Sequence, residues 1–119
     1  MEDFLVFKTY FFYILKGTGV TLQYSIVSIF GGMIIGILLA ICKTIDNKLV
    51  RILAVSYTSV FRGTPILVQL IIIHYGLPSL LKIKMSIFFS GVITFSLNSG
   101  AYVSEIIKAG IKGVDKGQV

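Results

Sequence analysis

Charge is scarce in this 119-residue chain: 13% of its residues are Asp, Glu, Lys or Arg, 55% are hydrophobic, and the mean hydropathy is +0.93. So little polar surface cannot wrap a water-soluble core, which excludes a soluble globular domain. One cysteine, Cys42, rules out an internal disulfide and a cysteine metal cluster. One histidine, His74, stands beside Tyr75 and reads as a membrane-interface residue rather than a ligand. The acids number five, with no pair placed for acid–base work, no glycine loop for phosphate and no nucleophile beside a base. No enzyme chemistry, metal site or cofactor site is therefore expected. The net charge of +6 is spread between greasy segments rather than gathered in a basic run with aromatics, so nucleic acid is not the partner it points to. Nor is the start, MEDFLVFKTYFFYILKG, a signal peptide: it begins acidic, Lys8 interrupts it, and no small-residue cleavage site follows.

What is present is long uncharged sequence. Residues 18–42 and 85–104 hold no charge at all, and each exceeds the roughly 18 apolar residues that mark a spanning helix. Ahead of them, Phe4, Phe7, Phe11 and Ile14 recur at helical spacing while Tyr10, Tyr13 and Lys16 suit headgroups, so residues 1–17 read as an interfacial segment. In the first span Thr21, Ser25, Ser28, Gly32, Gly36 and Ala40 make one face smooth, and Gly32 and Gly36 permit close backbone approach to another helix.

Between the two uncharged runs, Ile52 to Leu77 reads as one greasy helix interrupted by Arg62, Gly63 and Pro65. Two placements are open. Either the interruption lies near mid-membrane, or the span proper begins at Thr64 and Arg62 sits near an interface; both forbid a lipid-facing arginine deep in hydrocarbon. In the third span Ser96, Asn98 and Ser99 lie about halfway along, where polar groups need partners or water. They suit either an interhelical clamp or a wet path. Glu105 and Lys108 read as an ion pair at a helix end, and Gly110, Gly113 and Gly117 predict a bend or stop near Gly110.

The loop at 43–51 carries Lys43, Lys48 and Arg51, and the tail adds Lys108, Lys112 and Lys116, against Lys8, Lys16, Lys82 and Lys84 at the other ends. By the positive-inside rule the loop is cytoplasmic, the N-terminus outside and the C-terminus inside.

Four ordered phrases, GTGVTLQYSI, FRGTPILVQL, HYGLP and LNSGAYVSEIIKAGIKGVDKGQ, resemble the permease subunits of polar amino-acid ABC importers over residues 17–119. The resemblance implies an all-α integral membrane protein of a prokaryotic cell membrane, with about three transmembrane helices forming the N-terminal part of a type I importer permease. It implies a second permease subunit, identical or different, an extracellular or periplasmic amino-acid-binding protein, and a separate ATP-binding subunit in which ATP is the cofactor. Because the family's Glu-Ala-Ala coupling loop would follow Val119, residues 18–119 are expected to stop just before it. Glu105, Gly110, Gly117 and Gln118 would then approach the ATPase. Arg62, Thr64, Gln69, Asn98 and Ser99 are the candidates for the solute path, Gly63 and Pro65 for a hinge, Gly32 and Gly36 for helix packing. From another class, a three-helix membrane scaffold binding larger partners would share the smooth glycine face.

Overall fold

A computed structural model describes residues 1–118, with side chains through residue 114, and every regular element in it is helical. The first helix, α1, runs unbroken from Glu2 to Thr44, 43 residues or about 65 Å, roughly twice the hydrocarbon thickness of a bilayer. The segment at 1–17 is thus helical and continuous with the helix of the first span, with no break at Gly17. Glu2 and Asp3 in the first turn favour its positive end, and the hydroxyls of Thr9, Thr18 and Thr21 donate back to carbonyls four residues earlier at 2.8 to 3.0 Å. At the far end Ile45 turns extended and Asn47 caps α2 (Lys48–Gly63), its side-chain oxygen accepting from the Leu49 and Val50 amides at 3.0 and 3.4 Å.

The single helix expected over Ile52–Leu77 is instead two arms. Thr64 and Pro65 are both extended, because a residue before proline is pushed out of the helical region, and the chain bends by 108°. Beyond the bend come α3 (Ile66–Ile71), a π-helical turn (Ile72–Gly76) and α4 (Leu77–Leu81). Lys82 closes α4 in the left-handed conformation, with its amide and that of Ile83 both on the Pro78 carbonyl. The last helix, α5 (Ile87–Gln118), starts on Ser86, whose hydroxyl accepts from the Phe89 amide at 3.1 Å. It does not stop at Gly110. A glycine costs only about 1 kcal/mol against alanine, and the Glu, Ile, Lys and Ala around Gly110 offset that.

The packing is inverted relative to a soluble protein. Buried positions are small or polar, such as Ser28, Ala40, Thr94, Ala101 and Ser104, while Phe30 and Ile34 are 67% and 61% exposed. In lipid, burying large apolar groups gains little, so helices associate through small residues. On α1 the buried face is Ser28, Gly32, Gly36, Ala40 and Lys43. A Cβ on Gly36 would lie 2.7 Å from the Val103 Cβ and 3.2 Å from the Gly100 carbonyl, and one on Gly32 would strike Ser99.

These pairings fix direction. Tyr24 meets Gly91, Gly32 meets Ser99, Gly36 meets Val103 and Lys43 reaches Glu105, so α1 and α5 run parallel. Two parallel spans can be joined only if the chain between them crosses back. The bent pair α2 and α3–α4 is therefore one broken span rather than a re-entrant hairpin, and the molecule makes three crossings. The 43–51 loop and the end of α5 share one side; the N-terminus and the 82–86 connection share the other.

Candidate functional site

A helix that ends inside a membrane leaves carbonyls with no water to satisfy them. At the bend, residues of three elements take up those carbonyls. Thr64 donates its hydroxyl to the Val60 carbonyl at 2.8 Å. From α3, the buried Gln69 amide donates to Thr64 Oγ1 at 2.7 Å, to the Phe61 carbonyl at 2.9 Å and to the Thr64 carbonyl at 3.2 Å. Across on α5, the Asn98 amide donates to Gln69 Oε1 at 3.1 Å and to the Phe61 carbonyl at 3.3 Å. Tyr57, stacked on Phe61, donates to the Leu97 carbonyl at 2.8 Å. The break costs a proline's missing donor and a turn of backbone bonds, and two side-chain amides offset that.

The structure thus brings Thr64, Gln69 and Asn98 into one network and seats Gly63 and Pro65 at the bend. Ser99 stands apart from it, on the neighbouring face of α5 against Gly32. Asn98 and Ser99 also line a cleft of about 720 Å³ between α1, α3 and α5, whose wall includes Tyr24, Ser28 and Ile66. The lining is almost wholly apolar. Ser28 Oγ is buried there without a hydrogen-bond partner.

Arg62 does not join the network. Its guanidinium lies 5.4 Å from the centre of the Tyr102 ring, three residues before Glu105, the first charge on α5. With α2 and α3–α4 as one broken span, Arg62 falls near its middle, the first of the two placements open from the sequence, and its side chain reaches along α5 to Tyr102.

Glu105 pairs with Lys43 rather than with Lys108. The Lys43 ammonium lies 2.6 Å from Glu105 Oε1 and donates to Ser104 Oγ at 2.9 Å, with its side chain wholly buried between α1 and α5. Sequence reading missed Lys43 because its position counted only as loop charge; its place four residues after the smooth stripe's Ala40, less one, was the available signal. His74, read from the sequence as a membrane-interface residue, has its Nδ1 2.8 Å from the hydroxyl of the buried Ser90. Gly110 is an ordinary position within α5. Gly117 continues the same helix, and the Gln118 side chain and Val119 lie outside what is described. Among the described residues no cluster of three or more His, Cys, Asp or Glu is placed to hold a metal.

Comparison with known proteins gives consistent matches. A family model described as "Binding-protein-dependent transport system inner membrane component" matches residues 32–119. A Rickettsia conorii protein provisionally named as the glutamine transport system permease GlnP is 54% identical over 119 residues, covering 99% of this chain and 55% of its own length. The arginine transport system permease ArtQ of Bacillus subtilis is 49% identical over 106 residues, 89% of this chain and 48% of its own. A crystal structure of an amino acid ABC transporter with histidines matches 89% of this chain and 52% of its own, with a TM-score of 0.77 and 36% identity. The chain spans about half the length of the relatives it matches.

Proposed function

Because this chain belongs to the inner membrane components of binding-protein-dependent transport systems, we propose that it is a permease part of an ATP-driven importer of polar amino acids. The observation that carries the reading is the broken span clamped by Gln69 and Asn98 across to α5. Regular backbone would serve an inert anchor better. A break at membrane depth supplies a place where two arms of one span can change angle while their freed carbonyls stay paired. Gly63 and Pro65 are the hinge in this reading, and Thr64, Gln69, Asn98 and Ser99 border the path that the movement opens. Arg62 borders it on the cytoplasmic side of the break.

Two relatives are named for glutamine and arginine, and the solved amino acid transporter is described with histidines; these side chains share no charge or shape. What they share is a polar side chain on an α-amino acid, and the substrate is proposed at that level. In this reading the energy comes from a separate ATP-binding subunit. That subunit meets the lysine-rich side to which α5 leads past Glu105, Gly110, Gly117 and Gln118. A solute-binding protein meets the opposite face, and a second permease subunit, identical or different, completes the path. The surplus of Lys and Arg on the 43–51 loop and the α5 end makes that side cytoplasmic, and the N-terminus lies outside the inner membrane.

The test is co-purification from the native membrane followed by reconstitution. An ATP-binding subunit and a solute-binding protein should accompany the chain, and a polar amino acid should stimulate ATP hydrolysis. Isolation of the chain with neither partner, or ATP turnover indifferent to every polar amino acid, overturns the reading. A cysteine at Asn47 should be labelled only from the cytoplasm and one at Ser79 only from outside; labelling of both from one side refutes the three crossings.

A further inference from the structure

The arm beyond the break is irregular a second time, at the π-helical turn Ile72–Gly76. The cause is local. Pro78 has no N–H for the His74 carbonyl four residues earlier, and its ring crowds that carbonyl. The chain widens instead, and the Leu77 amide reaches back five residues to the Ile72 carbonyl. Such turns are rare and gather at functional sites. The side chain that this one brings to α5 is His74, whose Nδ1 lies 2.8 Å from the hydroxyl of Ser90, a residue only 1% exposed. A serine hydroxyl both donates and accepts, so the bond forms whichever ring nitrogen holds the proton.

Among the described residues, side-chain hydrogen bonds tie this arm to α5 at two levels: Gln69 with Asn98 beside the break, and His74 with Ser90 farther out. Ser90 and Asn98 are eight residues apart, about 12 Å along the helix. One tie beside a hinge leaves an arm free to pivot about it, whereas a second tie at that distance fixes the angle. Residues 63–81 and 85–104 hold no Asp, Glu, Lys or Arg, so no ion pair between these stretches adds to the two ties. The outer tie is therefore one hydrogen bond, and a bond of ordinary strength shifts a two-state balance about fivefold. It is strong enough to hold the arm at rest and weak enough to open in a cycle.

We propose that His74 and Ser90 form the latch of the broken span: their bond sets the arm Ile66–Gly76 against α5, and the arm swings about the break at Gly63 and Pro65 only when that bond opens. Both are positioning residues and act without touching the solute. The occasion for the movement rests on the importer reading; the contact itself does not.

The experiment uses the intact transporter in right-side-out membrane vesicles. Cys42→Ala removes the one native cysteine and Ile73→Cys places a thiol at a position 7% exposed, so the rate of labelling by a membrane-impermeant maleimide reads water reaching the buried face of the arm. At rest labelling should be slow. L-Glutamine or L-arginine, supplied with the solute-binding protein and ATP, should raise it as the arm leaves α5. H74L and S90A should each raise the resting rate about fivefold and the double variant no further, because both remove the same bond. His74→Asn keeps a hydrogen-bonding group and should stay within about twofold of the unaltered chain, a rescue that a ring serving only to pack would not show. If H74L does not insert, S90A carries the test. Equal resting rates in S90A and the unaltered chain, additive effects of the two substitutions, or no rise during ATP turnover overturns the latch. ATP turnover indifferent to amino acids overturns the importer reading instead, and the resting rates of the variants then still decide whether this bond holds the arm.

Discussion

The two contacts that α5 makes are held by different forces. Along α1 it meets a seam of Gly32, Gly36 and Ala40, where shape brings the backbones together and, among the described residues, hydrogen bonds come at the Lys43 end. Against the bent span it meets Phe61 and Gln69 through amides and carbonyls, with Tyr57 reaching Leu97. A shape-fitted seam has one good position and rises steeply in energy when anything is added. A hydrogen-bonded clamp can exchange partners, because each amide offers two protons and each carbonyl two lone pairs. Under the proposed function, the difference suits a rigid α1–α5 pair and a bend at α2–α3 that moves.

Substitutions on the two contacts break or sharpen that contrast. The largest effect should come from Gly36→Leu, which drives a side chain into Val103 and the Gly100 carbonyl. A loss of about 3 kcal/mol or of the folded pair is expected, against less than about 1.5 kcal/mol for Ile35→Leu, read by thermal melting in detergent. Comparable melting of the two variants would dissolve the distinction between seam and clamp.

Next in size is Glu105→Ala, which leaves the buried Lys43 ammonium with only Ser104. Burial of an unpaired charge costs several kcal/mol, and the partial exposure of Glu105 reduces the expectation to about 2. The double variant Lys43→Met with Glu105→Ala should recover much of that loss, a coupling measurable in a double-mutant cycle.

The clamp should prove softer. Gln69→Leu orphans the Thr64 carbonyl and removes one of the two donors to the Phe61 carbonyl, and should cost about 1–2 kcal/mol, and Asn98→Leu about 1. The two should not add, since both amides serve the Phe61 carbonyl. Assembly is expected to survive while amino-acid-stimulated ATP turnover falls; an Asn98→Leu transporter with unaltered turnover would remove Asn98 from any part in the motion.

Smallest and opposite in sign is Gly110→Ala. A Cβ there meets nothing within 4 Å, and the helix is continuous, so a gain of about 0.5–1 kcal/mol in helix stability is expected from circular dichroism melts. Destabilisation would restore the bend that the glycine spacing suggested.

The three spans, the smooth glycine face and the phrase at the break were legible because each is a local pattern: an uncharged run, a four-residue spacing, a proline in apolar sequence. Arg62 could be confined to two depths by the cost of a charge in hydrocarbon. The partners at the break could not be read. Gln69 lies eight residues from the carbonyl it serves, and Asn98 lies 37 residues away on another helix. The Glu105 partner was misread for the same reason: Lys108 is near in sequence, whereas Lys43 is brought close only by packing.

By itself, the sequence determined that this chain lives in a bilayer and that one span is broken, because hydrophobicity and proline geometry act over a few residues. Only the tertiary structure decided that α1 and α5 run parallel, that the bent segment therefore crosses the membrane, and that Asn98 and Lys43 find their partners across helices. Direction and pairing depend on which small residues meet at a seam, and that contact joins parts of the chain some 67 positions apart, from Gly32 to Ser99.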